Sequence, residues 1–81
     1  MPVTSAQIRM ARAALNWTVR DLAEATGLHR NTINNIEVGR YAGDPESLAA
    51  IETVLTRAGV EFTNGNRPGV RLRKSRFKSE S

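Results

Sequence analysis

The sequence contains no cysteine and a single histidine, His29. The first absence removes disulfides, zinc fingers and thiol catalysis together, and the second rules out any multi-histidine metal site. No run approaches the roughly 18 consecutive apolar residues of a membrane-spanning helix. The opening segment, MPVTSAQIRMARAAL, lacks the basic-then-apolar order of a signal peptide, so the expected compartment is the cytoplasm. Glycine-rich phosphate loops, nucleophile–histidine arrangements, productively spaced carboxylate pairs and RNA-recognition motifs are missing as well. An enzyme, a cofactor or a resident metal therefore has nothing in the chain to support it. There is no internal repeat.

What is present is an ordinary globular composition, with 40% hydrophobic and 25% charged residues. Its 81 residues suffice for one marginal core, which makes pairing of two copies a natural source of added stability. The charge is uneven. Residues 1–66 hold six Lys/Arg against seven Asp/Glu, whereas Arg67, Arg71, Arg73, Lys74, Arg76 and Lys78 face Glu80 alone in residues 67–81. Taken alone, such a tail is equally a solubilising segment or a phosphate-binding one.

Caps and periodicity predict four helices. The first follows Thr4, with Gln7 completing a capping box, carries Ile8, Ala11 and Leu15 on one face, and stops at Asn16. The second follows Thr18, with Asp21 in its first turn and Leu22 and Ala23 inward, and ends before Gly27. The third runs from about Arg30 to Val38, with Ile33 and Ile36 inward and Gly39 as a left-handed stop. After a short loop over residues 40–43, Asp44, Pro45 and Glu46 start a fourth helix lined by Leu48, Ile51, Val54 and Leu55 and ended by Gly59. From Val60 the period becomes two. Val60, Phe62, Val70 and Leu72 alternate with Glu61, Thr63, Arg71 and Arg73 around the turn-rich residues 64–69, which predicts a two-stranded hairpin. A lone hairpin is barely stable, so it must pack on the helices or pair with another chain. The expected organisation is a helical domain over 1–59, a hairpin extension over 60–73 and a disordered basic tail over 74–81.

The segment from Val19 to Val38 carries the functional signal. Two short helices crossing steeply need a small residue at their contact, which Ala23 supplies, and a positive φ at the turn, which Gly27 supplies. Leu28, Ile33 and Ile36 fasten the second helix to the first, leaving its other face free to enter a major groove: a helix-turn-helix. Three asparagines in five positions are not explained by helix propensity. Arginine reaches guanine O6 and N7 bidentately, and asparagine reaches adenine N6 and N7, so Arg30, Asn31, Asn34 and Asn35 make chemical sense as base readers. Thr18, Arg20, Thr32 and Arg40 are candidate phosphate contacts, Arg20 and Arg40 being equally well plain surface charges. His29 is either a phosphate or base-edge contact or an untasked surface histidine. Trp17, between the first two helices, reads as core packing rather than base stacking.

At these residues the chain resembles the Cro and lambda-repressor-like, or XRE, family of transcriptional regulators. The resemblance covers about residues 5–58 and rests on Arg12, Leu22-Ala23, Gly27, Thr32-Ile33, Ile36-Glu37, Gly39 and the Asp44-Pro45 helix start. The ending from Ala58 to Phe62, followed by Pro68 to Arg73, is similar to short bacterial members that carry a hairpin and no ligand domain. The resemblance implies a mainly α, lambda-repressor-like four-helix domain, an Arg12–Glu37 ion pair tying the first helix to the end of the third, and base contacts from Arg30, Asn31 and Asn34, with Asn35 beside them. Two positions depart from the family pattern. Val19 replaces a glutamine that buttresses the reading helix and touches phosphate, and His29 replaces a serine or threonine.

The implied partner is double-stranded DNA, bound by a homodimer on a pseudo-palindromic operator, with the dimer contact expected at the hairpin assisted by the fourth helix. The alternative is an antitoxin-like or protein-interaction module whose hairpin edges accept a partner strand.

Overall fold

The structure of the protein, a computed structural model, describes residues 3–73. The expected disordered tail over 74–81 lies outside the described residues. Each helix begins where a side-chain acceptor precedes an apolar-periodic run. α1 (Ser5–Leu15) starts behind Thr4, whose hydroxyl accepts from the Gln7 N–H while the Gln7 side chain accepts from the Thr4 N–H. Thr18 and Asp21 form a second such reciprocal pair before α2 (Val19–Thr26). α3 (Arg30–Glu37) follows His29, and α4 (Pro45–Arg57) follows Asp44, whose carboxylate accepts from the Ser47 N–H at 2.7 Å. Each cap satisfies an N–H that the helix itself leaves without an acceptor.

The helix ends are closed with equal economy. α1 stops where Asn16 takes a left-handed φ of 60°, the one non-glycine residue to do so among the described residues. Its N–H and that of Trp17 turn back to the carbonyls of Ala13 and Arg12 at 3.0 and 2.9 Å. α3 is one residue shorter than the periodicity suggests. Val38 leaves helical geometry, and the Gly39 and Arg40 N–H groups donate to the carbonyls of Ile36 and Asn35 at 3.1 and 2.9 Å.

Ile8 and Ala11 of α1, Leu22 and Ala23 of α2, Ile33 and Ile36 of α3, and Ile51 and Leu55 of α4 form one buried cluster, joined by Val3 and Val60. Leu15, Trp17, Leu28, Leu48 and Val54 pack around it. Trp17 is thus a core-edge residue.

β1 (Val60–Thr63) and β2 (Gly69–Leu72) pair antiparallel, with Val60 opposite Leu72, Glu61 opposite Arg71, Phe62 opposite Val70 and Thr63 opposite Gly69. Gly69 belongs to the strand, so the connection is residues 64–68, shorter than the sequence suggested. The hairpin packs chiefly on α1 and α4, with Val60 buried and Phe62 and Val70 against the core. Glu61 and Arg71 sit across from each other on the outer face at 3.6 Å. The helices therefore supply the apolar cover that a two-stranded sheet lacks.

Gln7 fastens this arrangement, a role beyond its place in the capping box. It is 1% exposed, and its Nε2 donates to the carbonyls of Thr63 and Gly69 at 2.8 and 3.1 Å while its Oε1 accepts from the Thr4 N–H at 3.0 Å. One buried amide thus joins the start of α1 to both strands at the closed end of the hairpin. At the open end, Arg73 donates through its backbone N–H to Gly59 O at 2.7 Å and through Nη2 to Thr56 O at 2.6 Å. Arg73 is thus engaged inside the chain, whereas Arg71 has only the loose, exposed partner Glu61.

Replacing Gln7 by alanine removes the helix donor from two strand carbonyls and leaves the Thr4 N–H without its acceptor. We expect Gln7→Ala to lower the unfolding free energy by about 2 kcal/mol. In hydrogen exchange, the hairpin amides should lose protection before those of α2 and α3; protection lost evenly over the chain would contradict the assigned role.

Candidate nucleic-acid interface

The α2–α3 pair is set by a small set of residues with separate tasks. Ala23, 6% exposed, supplies the short side chain at the contact, and Leu22, Ile33 and Ile36 fill the space beneath it. Gly27 ends α2 with φ 80°, and a Cβ built there would meet nothing within 4 Å. The position needs glycine for its backbone conformation and not for room. Thr26 completes the turn. Its hydroxyl donates to Leu22 O at 2.8 Å and accepts from the Leu28 N–H at 3.2 Å, bridging the helix end to the residue beyond the glycine. Sequence reasoning passed over Thr26, although a hydroxyl residue in a last helical turn commonly bonds back to the carbonyl four residues earlier.

The far end of α3 is gripped by α1. Glu37 is buried, and Arg12 meets its carboxylate with two parallel hydrogen bonds, Nε to Oε2 and Nη2 to Oε1, each 2.8 Å. The third arm of the same guanidinium, Nη1, donates to Trp17 O at 2.9 Å. The Glu37 hydrogen bonds, and to a lesser degree its charge, raise the Arg12 guanidinium above its ordinary value against the opposing effect of burial, so Arg12 is a permanent cation. Ser5 Oγ donates to Ile36 O at 2.6 Å, and the Arg9 guanidinium donates to Glu37 O. Three α1 side chains, one turn apart, thus occupy the polar C-terminal end of α3. On the other side, Gly43 (φ 85°) lies so close to Ile36 and Leu48 that a Cβ there would come within 3.1 Å of Ile36 Cδ1. Neither Ser5, Arg9 nor Gly43 stands out in the sequence, because each acts through a tertiary neighbour.

With Ile33, Ile36 and Glu37 inside, the rest of α3 faces out. Arg30, Asn31 and Asn34 are exposed, and Thr32 and Asn35 are half-buried. A shallow groove of about 460 Å³ lies between the first turn of α2 and the start of α3, lined by Thr18, Val19, Arg20, Arg30, Asn31 and Asn34. Arg20 has a loose partner, Glu24, at 3.4 Å with both side chains mostly exposed. Such a pair is worth only a few tenths of a kcal/mol and exchanges readily for another anion. Arg40 is exposed in the α3–α4 loop, outside this groove, with its N–H on Asn35 O. His29 caps α3: its Nδ1 accepts from the Asn31 N–H at 3.0 Å.

The family model for helix-turn-helix domains of the Cro/C1 type matches residues 8–61. The chain belongs to the XRE family of helix-turn-helix proteins. It is accordingly a DNA-binding helix-turn-helix regulator. A search among curated proteins returns no match. The matched span runs from Ile8 in α1 to Glu61 in β1 and so takes in all of α2, α3 and α4. Among the described residues no helix is long and apolar enough to cross a membrane.

Within this XRE-family fold, the two departures seen in the sequence occupy defined places. Val19, half-buried, packs on the core from the floor of the groove, where an amide would have offered hydrogen bonds. His29 performs the capping that serine or threonine performs through a hydroxyl.

The Arg12–Glu37 pair generates a sharp expectation. Arg12→Met should destabilise by about 3–5 kcal/mol because it strands a buried carboxylate, whereas Arg12→Met/Glu37→Leu should regain more than half of that loss. Urea unfolding of the two single variants and the double variant measures the coupling; strictly additive losses would refute it.

Proposed function

We propose that the protein is a sequence-specific regulator that lays α3 in the major groove of double-stranded DNA, as a homodimer on a pseudo-palindromic operator. The observation that carries this reading is the groove between α2 and α3. It gathers three side chains suited to base edges, Arg30, Asn31 and Asn34, beside two suited to phosphate, Thr18 and Arg20. Asn35 is the fourth base-reading candidate, less exposed than the others. Thr18 already accepts from the Asp21 N–H, and that leaves its own hydroxyl hydrogen to donate to a phosphate. Thr32, Arg40 and His29 complete the phosphate set around the reading helix.

The basic residues beyond Asn66 add sequence-independent, salt-sensitive affinity. With Arg73 on Thr56 O, that role falls to Arg67, Arg71, Lys74, Arg76 and Lys78, Arg71 exchanging its loose partner Glu61 as Arg20 does Glu24. The dimer contact we assign to the open strand edges of the hairpin with α4 assisting, since its inner face is already covered by helices. Two copies then set their reading helices one turn of DNA apart, about 34 Å.

With an operator recovered by selection from random duplexes, Arg30→Ala and Asn31→Ala should each relax preference at a defined base pair by about 1–3 kcal/mol. Selection with the variants reads this directly, and an unchanged preference would overturn the assignment of α3. Sedimentation should show a dimer at micromolar concentration; a monomer both free and on the operator would remove the two-fold arrangement.

A further inference from the structure

The single histidine of the chain stands at the first residue before α3, and one of its two ring nitrogens is committed to the helix. Nδ1 accepts from the Asn31 N–H at 3.0 Å. A nitrogen that accepts carries no proton, so the capped neutral ring must hold its proton on Nε2. His29 is exposed and borders an open groove whose charged members are Arg20, Glu24 and Arg30. The cap thus selects one tautomer and leaves an N–H donor at the far end of an exposed ring that borders the same groove as Arg20, Glu24 and Arg30.

We propose that His29 does two things at once: through Nδ1 it holds the start of α3, and with it Arg30 and Asn31, and through Nε2–H it donates to one DNA phosphate in each half-site. This deepens the reading of α3 as the recognition helix and rests on it. A serine or threonine cap can donate only from the same oxygen that holds the helix end; the imidazole places its donor on a second atom across the ring, farther from the helix end. The contacting species is the neutral ring, because protonation of Nδ1 would set an N–H against the Asn31 N–H and break the cap.

Two variants separate the tasks. Asparagine is a good N-cap but lacks a donor at the position of Nε2, so His29→Asn should leave the melting temperature unchanged. His29→Ala loses the cap as well, and its melting temperature should fall by about 4–8 °C. Both variants should bind the selected operator roughly tenfold more weakly than the parent. Ethylation interference should lose the same single phosphate per half-site in both. The advantage of the parent over His29→Asn should remain at about pH 8, since a neutral imidazole suffices.

An asparagine variant that binds as tightly as the parent would eliminate the Nε2 contact. An advantage that vanishes by pH 8 would make the imidazolium the contacting form and overturn the tautomer assignment. An alanine variant that melts with the parent would remove the cap. If α3 were not the reading helix at all, Arg30→Ala would keep the parental sequence preference, which tells that failure apart from these.

Discussion

The buried carboxylate of Glu37 is the constraint around which α3 is organised. A carboxylate this far from water is tolerable only with its charge met and its lone pairs filled. Arg12 meets both demands with a two-point contact, and its third arm holds the carbonyl of Trp17 just before α2 begins. A single guanidinium therefore refers α1, the α1–α2 turn and the end of α3 to one another. α3 has only eight residues, too few to hold a helix in isolation, so its direction depends on this clamp and on Ile33 and Ile36 beneath it. Ser5 and Arg9 extend the clamp to the last carbonyls of the helix, Ser5 as a second donor to Ile36 O beside the Gly39 N–H and Arg9 as a donor to Glu37 O.

The consequence is a division of the molecule. One side is rigidly held and polar: α3 with its exposed arginine and asparagines, backed by the first turn of α2. The other is the hairpin, mounted on α1 and α4 and fixed through Gln7. α1 is the common member, gripping α3 along the Ser5–Arg9–Arg12 stripe and the hairpin through Gln7. Anything that acts on the hairpin is connected to α3 through this one helix. Charge and the exposed polar face of α3 are also separated along the chain, since the excess positive charge lies beyond Asn66 and Arg30, Asn31 and Asn34 lie before it.

Much of the fold was legible in the sequence because its signals are local. Thr4, Thr18 and Asp44 announce helix starts, Asn16 and Gly27 announce ends, and the change from a period near 3.6 to a period of two at Val60 marks the hairpin. Pairing of Arg12 with Glu37 was inferable only by resemblance, since nothing in a separation of 25 residues says that two charges meet. Gln7 was read as a cap and proved also to be the bond between helix and hairpin. Arg71 and Arg73 looked like free charge in a basic tail, yet a strand register sets one against Glu61 and a helix end takes the other.

By itself, then, the sequence determined the order and type of the elements, the turn between α2 and α3, and the polar character of the face α3 turns outward. These follow from backbone preference and side-chain period, which act over a few residues. Only the tertiary structure decided which buried polar groups answer one another, which partners Arg71 and Arg73 find, and where the hairpin sits. Those outcomes depend on burial, because a polar group withdrawn from water must find a partner wherever the packing brings one, and sequence spacing does not record that neighbour.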